Sequence, residues 1–416
     1  MHRRAPAVLD TETGMDWQTP EDAVPSTFIT EADQRALLGK PPATGAWREG
    51  DPVAGRRFVD VGALTVESGT EIPAVRIAYE TFGELSPTRD NAILVLHALT
   101  GDAHLTGPAG PGQPTAGWWT GVVGPGLALD TDRWFVVAPN ILGGCQGSTG
   151  PASLAPDRVE WAARFPRVTI RDQVAAQRAF TDAIGISRWA AVVGGSMGGM
   201  HALEWAVEHQ DLVDRVAILA APAVASADQI ALNSVQAEAI RMDPRFRHGG
   251  YYASPDGEGP HRGLALARRM ALLNYRSPDE LNDRFARSWQ SGLDPLLTTS
   301  GRYAVESYLD FHGNKFTRRF DANSYLRLVG AMSSHDLGRG RDSLQAALAR
   351  IDMPALVLGI DSDRLFPVDD QRVIARHVPG NIDGDDPVVI SSEYGHDGFL
   401  IENDLVGAQL RRLLDA

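Results

Sequence analysis

Short, wholly apolar runs, each bounded by Gly, Pro or Asp, recur along the chain from about Arg56 onward. They include Ile93 to Leu96 in NAILVLHALTG, Trp134 to Ala138 in RWFVVAPN, Ala190 to Val193 in RWAAVVGGS, Val216 to Ala220 in RVAILAAP, Ala355 to Ile360 in PALVLGID and Val388 to Ile390 in DPVVISSE. A strand with one wet face alternates apolar and polar residues, whereas a strand buried on both faces does not. Uninterrupted runs of this length suit the second case, as in a parallel sheet. Segments of helical period, such as RDQVAAQRAFTDAIG, separate several of the runs. The alternation predicts an α/β fold with a mostly parallel, doubly wound sheet.

Two stretches depart from this rhythm. Residues 1–50 are polar, with scattered prolines and no sustained period, and read as a flexible N-terminal tail. Residues 223–350 are mostly helical in period, with polar loops such as SPDGEGPHRG, and fall between two buried strands. They predict a helical lid inserted over the carboxyl ends of the strands, where open α/β sheets place their ligands. The catalytic domain then consists of residues 51–222 and 351–416.

Composition narrows the chemistry. The 416 residues hold 39 Lys and Arg against 53 Asp and Glu, a net charge of −14. That balance argues against nucleic acid or an anionic membrane as partner, because both demand a basic surplus. Cys145 is the single cysteine, which excludes an internal disulfide and thiolate zinc sites and fits a reducing cytoplasm. MHRRAPAVLDTETG has two arginines with no apolar run behind them, unlike a secretory signal, and no stretch of 18 apolar residues suggests a membrane span.

The central motif is VVGGSMGGMHALEWA, which holds Gly194-x-Ser196-x-Gly198 between an apolar strand and a helix. That context fits a nucleophile elbow, a sharp strand-to-helix turn that forces strained backbone on the serine and tolerates only Cβ-free neighbours. The serine needs a base that titrates near neutrality, and in this fold the chain order is Ser, acid, His. Two histidines lie late enough. His377 ends an amphipathic helix in QRVIARHVPG, whereas His396 sits in the Gly-flanked loop SSEYGHDGFLIE just after a strand. His396 is therefore the expected base. The acid falls in GIDSDRLFPVDDQ, where the residues leave Asp361 and Asp363 about equal.

Several motifs together resemble one family. HALTGDAH, GPGQPTAGWW, NILGGCQGSTGPAS, GGSMGGMHALEWA, SHDLGRGR, SDRLFP and YGHDGFL are similar to those of the homoserine O-acetyltransferase family, over roughly residues 56 to 412. The resemblance implies an α/β-hydrolase fold and acyl transfer from acetyl-CoA to the hydroxyl of L-homoserine, an early step of methionine biosynthesis. It also implies a cytoplasmic homodimer whose small-molecule substrates need no further cofactor. It makes Ser196 the acylated nucleophile, His396 the base and Asp363 its orienting acid. The Leu99 and Met197 amides become the oxyanion hole, and Arg268, Tyr275 and Asp397 become contacts to homoserine.

Some of these assignments have plainer alternatives. Arg268 and Tyr275 are seven apart in GLALARRMALLNY, on one helical face with Leu264, Ala271 and Leu272. An arginine on an apolar stripe either meets an anion or extends to water. Asp397 can equally form a turn. Trp118 and Trp119 read as packing, Cys145 lacks an evident base, and His97 with His104 offers no metal motif. The role of SHDLGRGR is open. At the level of function, a serine esterase, a succinyl-CoA or serine-specific acyltransferase and a catalytically silent binding protein all share the scaffold.

Overall fold

The computed structural model describes residues 37–289, 294–299 and 301–416. Eight strands form one sheet: β1 (Arg57–Thr65), β2 (Glu71–Phe82), β3 (Ala92–Leu96), β4 (Phe135–Pro139), β5 (Ala191–Gly195), β6 (Val216–Leu219), β7 (Ala355–Ile360) and β8 (Val388–Ile390), in the order β1-β2-β4-β3-β5-β6-β7-β8. Strands β4 through β8 along that row pair in parallel. Strand β2 runs antiparallel to both β1 and β4.

The apolar runs are continuous because each central strand feeds two cores. Leu94, Leu96, Val192, Ile218 and Val357 face one side, where they meet α1 (Ile170–Ala183) and α2 (Met197–Glu208) through Phe180, Leu203 and Trp205. Their neighbours Ile93, Val95, Val193, Leu219 and Leu358 face the other, against Val406, Leu410 and Leu413 of the C-terminal helix Asn403–Asp415. Alternate residues point to opposite faces, so both sets must be apolar. Helix α1 starts where the sequence supplies a reciprocal cap: Thr169 Oγ1 accepts from the Asp172 amide and Asp172 accepts from the Thr169 amide.

Between β6 and β7 the chain runs through α3 (Ala227–Arg241), α4 (His261–Tyr275), α5 (Pro278–Phe285), α6 (Ala304–Phe316) and α7 (Ala322–Ser333). The neck of this insertion is closed. The Leu337 amide bonds the Ala223 carbonyl, and the Ala225 amide bonds that of His335. Arg341 then ties the exit loop to Glu204 and Glu208 on α2. These bonds give SHDLGRGR a structural role, fastening the helical insertion to the helix that follows Ser196.

One expectation needs correction. Residues 37–50 are not a loose tail. Thr44 donates to the buried Asp321 carboxylate at 2.8 Å, the Gly45 amide bonds the Phe320 carbonyl, and Glu49 pairs with Arg76. Gly45 approaches the 318–320 backbone so closely that a Cβ would sit 2.4 Å from the Arg319 nitrogen. The polar composition conceals this seat because its bonds go to side chains and carbonyls far along the chain. Residues 1–36 of the expected tail lie outside the described residues.

Burial of imidazoles gives the fold a pH dependence. Burial pushes His201 and His335 down to about 3, and His97, His209, His261 and His312 also fall below the ordinary value, whereas His104 and His396 rise. As pH falls below about 6.5, the unfolded chain binds protons that the lowered rings refuse, so folding weakens, by about 1.4 kcal/mol per pH unit for a fully buried ring such as His201 or His335. The two raised rings add stability that is fully present below about pH 6.5 and is lost only as pH rises above it, so they do not offset the acid loss. Urea midpoints are expected to fall steeply from pH 7 to pH 4.5, and a flat profile would show that the buried rings take protons in place.

Candidate active site

Strand β5 ends on Gly195 and α2 begins on Met197, leaving Ser196 alone to turn the chain. Its backbone adopts φ 58° and ψ −124°, a strained conformation for a residue with a side chain. The flanking glycines are steric necessities. A Cβ on Gly194 would lie 2.0 Å from the Gly198 oxygen, and one on Gly198 would lie 2.0 Å from the Leu96 oxygen. The turn therefore presses the first turn of α2 against the end of β3.

Ser196 is buried, and its Oγ lies 2.9 Å from Nε2 of His396. Nδ1 of His396 donates to Asp363 Oδ2 at 2.6 Å, which fixes the tautomer with Nε2 free to accept the serine proton. The other Asp363 oxygen accepts the Leu365 and Phe366 amides at 2.8 and 2.9 Å. Burial alone would push the His396 pKa down, but the Asp363 charge and hydrogen bond outweigh it and raise the pKa above the ordinary value. Phe366, Phe399 and Tyr275 surround the ring at centroid distances of 5.0, 5.4 and 5.8 Å.

The choice between the two acids is resolved by distance along the loop. Asp361 is exposed and accepts the Ser392 amide at 3.0 Å, stapling the ends of β7 and β8 together. Ser362, which carried no signal in the sequence, accepts the Gly395 amide at 3.0 Å and so ties the histidine loop to the acid loop. His377 lies apart, half-buried at the end of its helix, with Nδ1 on the Val373 carbonyl.

Leu99 and Met197 are both buried and share one core cluster. Among the described residues neither backbone amide has a hydrogen-bond partner. The HALTGDAH loop that carries Leu99 is held by groups that the sequence did not single out. Arg319 donates to the Thr100 carbonyl at 2.5 Å and lies 3.6 Å from Asp102, and Asn140 accepts the Ala103 amide at 2.8 Å. Asn140 and Ser148 come from NILGGCQGSTG, which is accordingly a brace for this loop.

From α4, Arg268 stretches over the Tyr275 and Phe316 rings at 5.4 and 5.2 Å, and its guanidinium reaches the Thr100 hydroxyl at 3.4 Å. Among the described residues it has no carboxylate partner, whereas its neighbour Arg269 pairs with Asp310. Tyr275 is pushed up to about 12 by burial, so its hydroxyl keeps its proton. Asp397 meets Arg276 at 3.3 Å, a partner that the sequence reading did not foresee. Between α3, α7 and the acid loop, a narrow pocket opens beside Leu99, Met200, Tyr275 and Phe366, and among the described residues no charged side chain lines it. Cys145 is buried with its thiol pushed up by burial, far from nucleophilic character. Trp118 and Trp119 stack at 5.2 Å as packing groups, and Trp118 donates to the Asp102 carbonyl.

The family described as alpha/beta hydrolase fold matches residues 91–402. The chain is 72% identical over 387 residues to the homoserine O-acetyltransferase of Clavibacter michiganensis subsp. michiganensis (strain NCPPB 382), covering 93% of this chain and 99% of that one. The chain belongs to the homoserine O-acetyltransferase family. Membership makes it an enzyme of the transferase class on an α/β-hydrolase scaffold. The crystal structure of homoserine O-acetyltransferase from Bacillus anthracis superposes with a TM-score of 0.77 at 27% identity, covering 87% of this chain and 97% of that one. The crystal structure of esterase E22 reaches the same TM-score, 0.77, at 26% identity, covering 86% and 99%. Members of the homoserine O-acetyltransferase family thus share their scaffold with an esterase, and the scaffold alone does not separate transfer from hydrolysis.

Proposed function

We propose that this enzyme moves the acetyl group of acetyl-CoA to the hydroxyl of L-homoserine through an acyl-Ser196 intermediate, serving methionine biosynthesis. The observation that carries the reading is the unbroken chain Ser196–His396–Asp363 beside an arginine, Arg268, that no carboxylate among the described residues neutralises. His396 Nε2 takes the Ser196 proton as Oγ attacks the thioester carbonyl. The negative oxygen forms beside the Leu99 and Met197 amides, and the imidazolium is stabilised by Asp363. Collapse expels CoA, which takes the proton. Homoserine then enters with its carboxylate on Arg268 and its ammonium towards Asp397. His396 removes the hydroxyl proton, the alkoxide attacks the acyl-serine, and Ser196 regains its proton as the ester leaves.

The uncharged pocket beside Leu99 favours acetyl over succinyl, because a buried carboxylate without a cation is costly. Two measurements test the reading. Rapid-quench intact mass after acetyl-CoA alone is expected to reveal an acetyl adduct on Ser196. Acetyl-CoA and succinyl-CoA assayed against homoserine and serine are expected to favour the acetyl–homoserine pairing. An esterase, the second reading, is motivated by the esterase E22 superposition. It predicts CoA release that is indifferent to homoserine.

Arg268→Ala is expected to lower kcat/KM for homoserine by about 10- to 100-fold, since a hydrogen bond to a charged group contributes about 1.5–3 kcal/mol. Adduct formation from acetyl-CoA should persist, and steady-state kinetics with each substrate varied checks both. We further place the enzyme in the cytoplasm as a homodimer. Ile230 and Val235 on α3 and Leu266 and Leu273 on α4 expose apolar side chains that a second copy would cover.

A further inference from the structure

We infer that His97 is a positioning residue for acyl transfer: by donating from Nδ1 to the Ala98 carbonyl it fixes the Ala98–Leu99 peptide so that the Leu99 amide faces the oxyanion formed at Ser196. The inference rests on the reading of Ser196 as the acylated nucleophile and assigns a task to a histidine outside the triad.

A trans peptide is planar, so its C=O and N–H point in opposite directions. The Ala98 oxygen receives His97 Nδ1 at 2.7 Å and the Gly101 amide at 2.9 Å. The far end of that same peptide is the Leu99 N–H, which is turned away from both donors and has no partner among the described residues. A buried amide left without a partner is rare and points to a group that arrives. What lies close by is the nucleophile elbow. A Cβ on Gly198 would stand 2.0 Å from the Leu96 oxygen and 3.2 Å from the His97 oxygen, so this segment rests on the first turn of α2.

The ring itself is locked. Its Nε2 accepts the Ile141 amide at 3.2 Å, which requires that nitrogen to be unprotonated and therefore places the proton on Nδ1. Burial holds the ring below the ordinary imidazole value, so it stays neutral where His396 cycles. The Gly101 bond closes the turn. The His97 bond adds a second donor to the same oxygen and couples the peptide to the β4 end through Ile141.

The two ring contacts can be separated by substitution. In His97→Asn the amide nitrogen occupies the place of Nδ1 and can still donate to Ala98, while the contact to Ile141 is lost. In His97→Gln the side-chain oxygen can accept from Ile141, while Ala98 loses its donor. We expect His97→Asn to keep kcat within about tenfold of wild type. His97→Gln should lose on the order of 100-fold in kcat, as for removal of one oxyanion donor, with KM for acetyl-CoA changed little. A trifluoromethyl-ketone analogue of acetyl-CoA, which becomes an oxyanion on Ser196, should bind His97→Gln more weakly by the same factor, while CoA binds as before.

Thermal melts report the folded fraction, and rates are compared per folded molecule. His97→Gln at the wild-type rate, or equal losses in both variants, would overturn the proposal. Absence of an acetyl adduct in the wild-type enzyme would instead remove the parent reading, and it is seen before any variant is made.

Discussion

Replacing Ser196 with alanine should reduce acyl transfer by about a million-fold and eliminate the acetyl adduct, while leaving the fold intact. Among the described residues the hydroxyl bonds His396 Nε2 and no other group that would be left stranded. The elbow is held by glycines at 194 and 198 and by the strand and helix on either side, none of which need the oxygen. A residual rate above solution chemistry should survive, because the Leu99 and Met197 amides and the acceptor site remain. In serine hydrolases, nucleophile removal costs about 2 × 10⁶ in kcat and leaves about 10³–10⁴ over water. Single-turnover CoA release, followed with and without homoserine, measures both. Full turnover in Ser196→Ala would mean that the acceptor attacks acetyl-CoA directly.

Asp363→Asn is expected to lower kcat by about 10⁴-fold. An amide can present its NH₂ to His396 Nδ1, and the ring then takes the tautomer with its proton on Nε2, which cannot accept from Ser196. The change also removes the negative charge that raises the His396 pKa, so the acid limb of the pH–rate profile should move to lower pH. Asp361→Asn is the internal control. Its carboxylate is exposed and accepts a single backbone amide, so kcat should stay within a few-fold of wild type. The pair of variants, read as full pH profiles, separates an orienting acid from a loop staple two residues away. Equal losses in both would show that the loop, and not the charge, sustains catalysis.

The sheet was legible because its strands are buried on both faces, and continuous apolar runs such as Ile93 to Leu96 and Ala355 to Ile360 have few other uses. The elbow was legible because its geometry admits only glycine at fixed offsets, a constraint written locally in GGSMGG. His396 followed from chain order and a Gly-flanked loop. Asp363 did not follow from the residues: two aspartates two apart on one loop differ only in which way the chain turns after β7, and the resemblance, not the spacing, preferred Asp363. The seat of residues 37–50 was hidden for a related reason, since Thr44 and Gly45 are held by residues some 275 positions away.

By itself, the sequence determined the order of strands and helices, the strained serine and the histidine that faces it, because each depends on neighbours within a turn or a strand. Only the tertiary structure decided which aspartate meets His396, that Arg276 claims Asp397, that Arg268 meets no carboxylate among the described residues, and that His97 and Arg319 hold the loop bearing Leu99. Those contacts join residues that are either distant in sequence or one peptide apart with opposite orientations. Hydrogen-bond partners are selected by direction within about 3 Å, and direction in space is what a linear pattern of side chains does not encode.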